Sequence, residues 1–419
     1  RRRILNDMVT TKTLPNGVRV ITKRMEGLLS VTMGVLVGTG AAFERDEEDG
    51  ISHFIEHMQF KGTEKFTAFE LSDAFDAIGA QVNAFTGKDL TCYYAKSTSD
   101  HAKEAFSLLS ELFLRSTFPE DEMAREKGVV LEEIGMDEDS PEDLCLDLLS
   151  RAAFGNDNYG RNILGPQKNV EDFTREQLFA YKKERYCPEN IVISFAGNIE
   201  PAFAEELAER EFGALLGEKF IEREKRIVRR TESIFRKKSI EQAHFAFGFP
   251  TVSRDSEDLS AVQVMNAILG GGMSSRLFKR VREELGLAYS VYSYTSHYKE
   301  TGMLTVYAGV NPKKAEDAAK AVSAVLAEFK EKGVTEEEFL RGRETLKASN
   351  IFSQENTSSQ MLVYGKQLLY KNEVYDFEQR MAEISALTRE DILRVIAENL
   401  DFSAAASACV GNLKAPLTL

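Results

Sequence analysis

Two of the chain's five histidines lie four residues apart in Gly50-Ile51-Ser52-His53-Phe54-Ile55-Glu56-His57-Met58, and a glutamate directly precedes the second. On a helix, residues i, i+3 and i+4 share one face, so His53, Glu56 and His57 project toward the same point. Two imidazoles can then hold a zinc ion while the carboxylate stands over its open coordination position. This is the inverse of the His-Glu-x-x-His order of many zinc peptidases. The plainer alternative is a helix that carries two surface histidines by chance.

Two histidines leave such a site incomplete, because catalytic zinc takes three protein ligands and keeps a fourth position for water. His101, His244 and His297 have no motif-like company and read as ordinary surface or core residues. A carboxylate is the better candidate. The helix expected over residues ~119–138 offers Glu126, Glu132 and Glu133 among other acids. Glu126 and Glu133 are seven apart and so lie on one face, two turns from each other. Spacing alone does not choose among these acids.

The elements that must position these residues follow from pattern. Leu14-Pro15-Asn16-Gly17-Val18 is a turn signal between two β-rich runs and predicts a hairpin over ~9–24. Ser30–Val37 reads as a buried strand. Asp46–Phe60 reads as the motif helix, with Asp46, Glu47, Glu48 and Asp49 at its N-terminal end, where the dipole favours acids. A helix over Thr67–Ile78 closes at Gly79, and Gln81–Thr86 and Leu90–Ala95 read as strands. Long helices follow at ~101–115 and ~119–138, and Ile191–Ala196 is a further strand ending at Gly197-Asn198-Ile199.

The pattern then starts again. Arg45-Asp46-Glu47-Glu48-Asp49 is echoed by Arg254-Asp255-Ser256-Glu257-Asp258, Tyr94-Ala95 by Tyr307-Ala308, Glu120-Asp121-Glu122 by Glu336-Glu337-Glu338, and Gly197-Asn198-Ile199 by Gly411-Asn412-Leu413. Four echoes in order, at a nearly constant offset of about 210 residues, point to a duplicated domain; so long a period means two globular domains and not a solenoid. Within each copy, strands and helices mix without a regular βαβ rhythm. The expected class is α+β, each copy a largely antiparallel sheet with helices packed on one face. The expected boundaries are 1–213 for a catalytic domain, 214–238 for a charged linker and 239–419 for a homologous domain. In the second copy Val262, Met265 and Asn266 stand opposite His53, Glu56 and His57, while Gly342 and Ser349 stand opposite Glu126 and Glu133. The second copy therefore reads as a scaffold without the metal motif.

Composition excludes other classes. The chain is 43% hydrophobic and 29% charged, ordinary for a globular protein, and no apolar run approaches the ~20 residues of a membrane span. A net charge of −14 argues against a nucleic-acid binder; the basic runs near Glu222-Arg223-Glu224-Lys225-Arg226 read as a solvated linker. The start, Arg1-Arg2-Arg3-Ile4-Leu5, lacks the apolar core of a secretory signal and lacks Met, which leaves room for a removed segment. Cys92, Cys145, Cys187 and Cys409 form no Cys-x-x-Cys pair and read as reduced, mostly buried thiols. Gly270-Gly271-Gly272-Met273-Ser274-Ser275 lacks the Gly-Lys-Ser/Thr ending of a phosphate loop.

Over essentially its whole length the chain resembles the pitrilysin/insulinase family of inverted zinc metallopeptidases, and within it the bacterial homologues of the mitochondrial processing peptidase. The resemblance rests on Gly50–Met58 with Lys61-Gly62-Thr63, on Asn83-Ala84-Phe85-Thr86 with Tyr93-Tyr94, and on Glu126 to Glu133. It continues in Arg276-Leu277-Phe278, Arg282-Glu283 and Gly286-Leu287-Ala288-Tyr289-Ser290. Three departures stand out: Gln59 in place of an apolar residue, and Gly87 and Asp89 in place of Ser and Glu.

The resemblance implies one zinc ion per chain, held by His53, His57 and Glu133, with Glu126 as the acid beside the ligands. Glu56 would be the general base that takes a proton from water and passes it to the leaving amine. Asn83 and Ala84 would lie on an edge strand that pairs with the substrate backbone. Arg282 and Tyr289 would hold the substrate carbonyl, serving the zinc of a facing subunit, so that two chains close around a chamber as a homodimer or with a related partner. The implied activity is hydrolysis of unfolded or short peptides, in the cytoplasm or an organelle matrix, with no nucleic-acid or membrane partner. A non-catalytic substrate-binding subunit of a heterodimeric processing peptidase is the competing role.

Overall fold

The computed structural model describes residues 9–156, 158–220 and 227–419. The basic start at Arg1-Arg2-Arg3 and the charged run Glu222–Arg226 lie outside these residues. The first half runs β1 (Val9–Thr13), β2 (Arg19–Arg24), β3 (Ser30–Val37), α1 (Ile51–Gln59), α2 (Ala68–Ala77), β4 (Gln81–Thr86), β5 (Thr91–Thr98), α3 (Ala102–Arg115), α4 (Glu120–Asp139), α5 (Pro141–Phe154), α6 (Gln167–Asp172), α7 (Arg175–Arg185), β6 (Ile191–Gly197) and α8 (Pro201–Phe212). The second runs β7 (Ser233–Lys237), β8 (Ala243–Thr251), α9 (Leu259–Leu269), β9 (Ala288–His297), β10 (Gly302–Val310), α10 (Ala315–Lys332), α11 (Glu336–Ser353), α12 (Thr357–Lys371), α13 (Phe377–Ala386), α14 (Arg389–Asn399) and β11 (Ala406–Gly411).

The strands form two sheets, ordered β1-β2-β6-β3-β5-β4 and β7-β11-β8-β10-β9. Without β1 the two orders correspond strand for strand. In each, one pair is parallel, β2 with β6 and β7 with β11, and the others are antiparallel. The α+β class and the duplication are thus seen directly in topology.

The inner strands β2, β3, β5 and β6 of the first sheet are buried on both faces, and period-2 alternation sorts their side chains. Val31, Met33, Val35, Tyr93, Ile193 and Phe195 pack with α1, α3 and α8 in the main core. The alternate residues Ile21, Leu36, Cys92, Val192 and Ala196 pack instead against Met361, Tyr364 and Leu368 of α12. Hydrogen bonds pin that helix: Ser194 Oγ donates to Met361 O at 2.7 Å, and the Thr32 and Thr357 hydroxyls lie 2.8 Å apart. In the second sheet, α5 holds the corresponding place, with Cys145 Sγ 3.7 Å from Ala408 O.

The compact units are therefore not contiguous in sequence. Among the described residues, one runs to Ile134, resumes at Asn162 and takes in Phe352–Asp376, which carries α12. The other takes in Gly135–Arg161, which carries α5, resumes among the described residues at 227, runs to Ile351 and ends with Phe377–Leu419. Boundaries at 213 and 239 do not contain this exchange of helices.

Two local expectations are corrected. The motif helix begins at Ile51, not Asp46: Asp46–Glu48 is a separate 3-10 turn, and Gly50 between them is left-handed at φ +94°. The end of the expected linker is strand β7, an edge strand whose charged residues face outward while Phe235 packs on the core. All four cysteines are buried and unpaired. Among the described residues no helix is long and apolar enough to cross a membrane.

Candidate metal centre

The first unit carries the site. Ile51, Phe54, Ile55 and Met58 bury one face of α1 in the core, which leaves His53, Glu56 and His57 on the other. The start of α1 is fixed from two sides. A Cβ at Gly50 would fall 2.6 Å from Leu164 O, so the close approach and the positive φ both require glycine. Buried Glu44 spans the first turn, its Oε2 accepting from Gly50 N and its Oε1 from Ser52 N, each at 2.8 Å. A carboxylate at this helix end complements the dipole. Burial raises its carboxyl to about 7 against those hydrogen bonds.

The other end is held by a partly buried lysine. Lys182 Nζ on α7 donates to Phe113 O at 2.6 Å and to Gln59 Oε1 at 3.2 Å. Both acceptors sit in last helical turns, where a cation is favoured. Gln59, one of the three departures from the family pattern, thus supplies an acceptor to a buried ammonium whose pKa burial lowers to about 7.

Helix α4 brings in the acids. Glu133 Oε2 lies 3.4 Å from His57 Nε2 and 3.7 Å from His53 Nε2, and the imidazole rings are 4.5 Å apart between centroids. Two turns earlier on the same helix, Glu126 Oε1 lies 2.8 Å from His57 Nδ1. Glu126 is buried (side chain 5% exposed), whereas Glu133 is 32% exposed. In the tautomer with the proton on Nδ1, His57 donates to Glu126 and turns its Nε2 lone pair toward Glu133, the arrangement a metal ligand needs. Chiefly through burial, and with His57 adding, the His53 pKa falls to about 4, so His53 is neutral near pH 7.

The donor set fits a zinc ion. Bonds of ~2.0–2.2 Å in tetrahedral geometry put donor atoms roughly 3.3–3.5 Å apart, and Glu133 Oε2 lies near that distance from both nitrogens. Among the described residues, the one group of at least three His, Cys, Asp or Glu donors lying mutually within 4.8 Å is His53, His57 and Glu133. His53 Nδ1 is buried without a hydrogen-bond partner among the described residues, so of the two histidines His57 alone has its second nitrogen braced there.

Glu56 is held separately. Thr86 Oγ1, at the end of β4, donates to Glu56 Oε2 at 2.5 Å. Burial raises the Glu56 pKa and nearby Glu133 adds to this, while the Thr86 hydrogen bond and His57 oppose it. Among the described residues strand β4 is the sheet edge, paired only with β5, including Asn83↔Tyr94 and Ala84↔Tyr93. Arg282 and Tyr289 lie in the second unit, near one another: the guanidinium is 5.6 Å from the Tyr289 ring centroid, and Tyr289 is 75% exposed.

Comparison with known proteins gives this geometry its setting. Residues 19–167 match the family model described as "Insulinase (Peptidase family M16)", and residues 172–346 match "Peptidase M16 inactive domain". The chain is 41% identical to the uncharacterized zinc protease YmxG of Bacillus subtilis over 92% of this chain and 94% of that one. The chain belongs to the insulinase family of peptidases, M16. An M16 relative of Streptomyces coelicolor, also named a zinc protease, is 35% identical over 97% of this chain and 90% of its own. The fold matches a crystallised protease from Helicobacter pylori, with TM-score 0.91, 22% identity and coverage of 96% of this chain and 99% of that chain. A Pseudomonas fluorescens structure titled as an M16 inactive domain matches with TM-score 0.90, 23% identity and coverage of 98% and 99%.

The half of the M16 chain matched by the inactive-domain model shows what replaces the site. On α9, Val262 and Met265 are fully buried, and Asn266 accepts a 2.7 Å hydrogen bond from Ser293. Gly342 on α11 stands where Glu126 does in the first copy, and a Cβ there would come within 2.8 Å of Ile268. In that copy Val264 and Ile268 of α9 fill the space against Gly342 of α11, while Ser349, the counterpart of Glu133, is exposed.

Thr86, Glu44 and Lys61, whose Nζ lies 2.6 Å from Glu126 Oε2, contribute to the centre without having been assigned roles from sequence. Thr86 and Lys61 stood within quoted family motifs, and that was their only signal. Glu44 sits six residues before Gly50, between the strand and the helix read from pattern, and no motif marks it.

Proposed function

We propose that this M16 chain is a zinc-dependent endopeptidase or oligopeptidase in which His53, His57 and Glu133 hold one zinc ion and Glu56 is the general base. The observation that carries this reading is the convergence of Glu133 Oε2 on both Nε2 atoms, at 3.4 and 3.7 Å. Bound zinc supplies Lewis acidity and lowers the pKa of water.

The chain's own residues supply the rest. Glu126 orients His57 through Nδ1. Glu56, one residue before His57 and fixed by Thr86, takes the proton of the attacking water and delivers it to the leaving amine. Its raised pKa suits both halves of that task. The open edge of β4 at Asn83 and Ala84 takes an extended peptide as an added strand, so affinity comes from the main chain and tolerance from the side chains. Arg282 and Tyr289 stabilise the developing oxyanion in a second copy of the chain, which makes the working form a dimer.

The test is cleavage of an unstructured basic peptide by the purified chain. Cleavage lost to a chelator and restored by zinc supports the reading; cleavage that persists unchanged in zinc-stripped protein contradicts it.

A further inference from the structure

Glu126 is gripped at both oxygens. His57 Nδ1 lies 2.8 Å from Oε1, and Lys61 Nζ lies 2.6 Å from Oε2. A carboxylate held at one oxygen can still turn about its last bond; held at both, it has one orientation. Lys61 is itself placed by backbone. It follows the end of α1, with Lys61 N donating to Met58 O at 3.2 Å and Gly62 O accepting from Thr117 N at 3.1 Å. Ser116 Oγ donates to Met58 O at 3.2 Å and to Gly62 O at 3.3 Å. The loop that carries the ammonium is thus fastened to the segment that follows α3. Lys61 also places a positive charge against the buried Glu126 carboxylate, and removing one partner of such a buried pair is costly.

We propose that Lys61 is a positioning residue of the metal centre: through its ion pair with Glu126 it fixes the acceptor that aims His57 Nε2 toward Glu133. This rests on the reading of His53, His57 and Glu133 as zinc ligands. It adds that zinc affinity depends on a lysine that touches none of those three residues. A loss of the ion pair frees Glu126 Oε2, lets the carboxylate turn and loosens the His57 ring.

The test is zinc affinity of the full chain, stripped of metal and titrated against a competing chromogenic chelator, with thermal unfolding of each zinc-free protein as a check on folding. Lys61→Met keeps the stem and loses the charge. It is expected to bind zinc about 10- to 100-fold more weakly, the usual cost of losing an outer partner. Lys61→Arg should recover most of that loss. The double variant Lys61→Met/Glu126→Gln should bind no more weakly than Glu126→Gln alone, because the lysine acts only through Glu126. That comparison holds even if Lys61→Met lowers stability, since Glu126→Gln removes the same ion pair. Wild-type affinity in Lys61→Met, or losses that add in the double variant, overturns the role of Lys61 while leaving the zinc site standing. A wild-type chain that binds no zinc overturns the zinc site itself, and the role of Lys61 with it.

Discussion

Thr86 Oγ1 donates a 2.5 Å hydrogen bond to Glu56 Oε2. The bond joins the last residue of the edge strand to the motif helix, so the strand proposed to seat the peptide also orients the proposed base. A bound peptide and its general base are then set by one piece of backbone. Thr86→Val keeps the shape and removes the donor. It is expected to lower kcat by about 10- to 100-fold, part of what a positioned general base contributes, with KM little changed. Thr86→Ser should restore most of the rate. Steady-state kinetics on a fluorogenic peptide would show this, and an unchanged kcat in Thr86→Val would detach the threonine from catalysis.

Glu44 makes stability depend on pH in a definite direction. Its carboxyl titrates near 7 in the folded chain against an ordinary value of 4.5. Between those values the folded state holds a proton that the unfolded state has released, so stability falls as pH rises through this window. The slope from this one group is up to about 1.4 kcal/mol per pH unit. Urea unfolding of wild type and Glu44→Gln from pH 4.5 to 7 should show a flatter profile in the variant, whatever the variant does to stability at a single pH. Parallel profiles would contradict the raised carboxyl.

Lys182 has the opposite sign. Burial lowers its amine to about 7 from 10.5, so between those values the unfolded state binds the extra proton and stability rises with pH. Lys182→Met should lose that rise in unfolding measured between pH 7 and 9. A rise of wild-type size in the variant would show that the ammonium is not desolvated as its surroundings indicate.

Arg282 offers a separate test of the second unit. Its side chain is 41% exposed and its nearest acid, Glu283, is 3.9 Å away, so its charge is largely uncommitted. Arg282→Ala should lower kcat by about 10²- to 10³-fold, the typical cost of one oxyanion donor, while zinc content stays at the wild-type level. A variant as active as wild type would remove Arg282 from the reaction.

Periodicity made part of this centre legible in the sequence. His53, Glu56 and His57 share a face because helical spacing puts them there, and Glu126 and Glu133 share a face of α4 for the same reason. Which acid meets the histidines was a tertiary question, and only resemblance pointed to Glu133. Thr86 reaches Glu56 across 30 positions and Lys182 reaches Gln59 across 123; no local pattern encodes such pairs. The duplication was legible as echoes at constant offset, but the exchange of α5 and α12 was not, since an amphipathic helix declares a buried face and not the sheet that buries it. Strand β7 was hidden by Arg236, Lys237 and Lys238, which read as linker because an edge strand needs few apolar residues. The early start assigned to the motif helix came from Asp46–Asp49, acids that suit a helix N-terminus but here form a 3-10 turn before a left-handed glycine.

The central claim is that Glu133 completes a zinc site whose base, Glu56, is not a ligand. The most direct measurement is zinc per chain, by elemental analysis after exhaustive dialysis, in wild type, Glu56→Gln and Glu133→Gln, with peptide cleavage followed in parallel. Wild type and Glu56→Gln should each retain about one zinc, with cleavage abolished in Glu56→Gln, and Glu133→Gln should lose both metal and activity. Full zinc occupancy in Glu133→Gln, or wild-type cleavage by Glu56→Gln, would contradict the account.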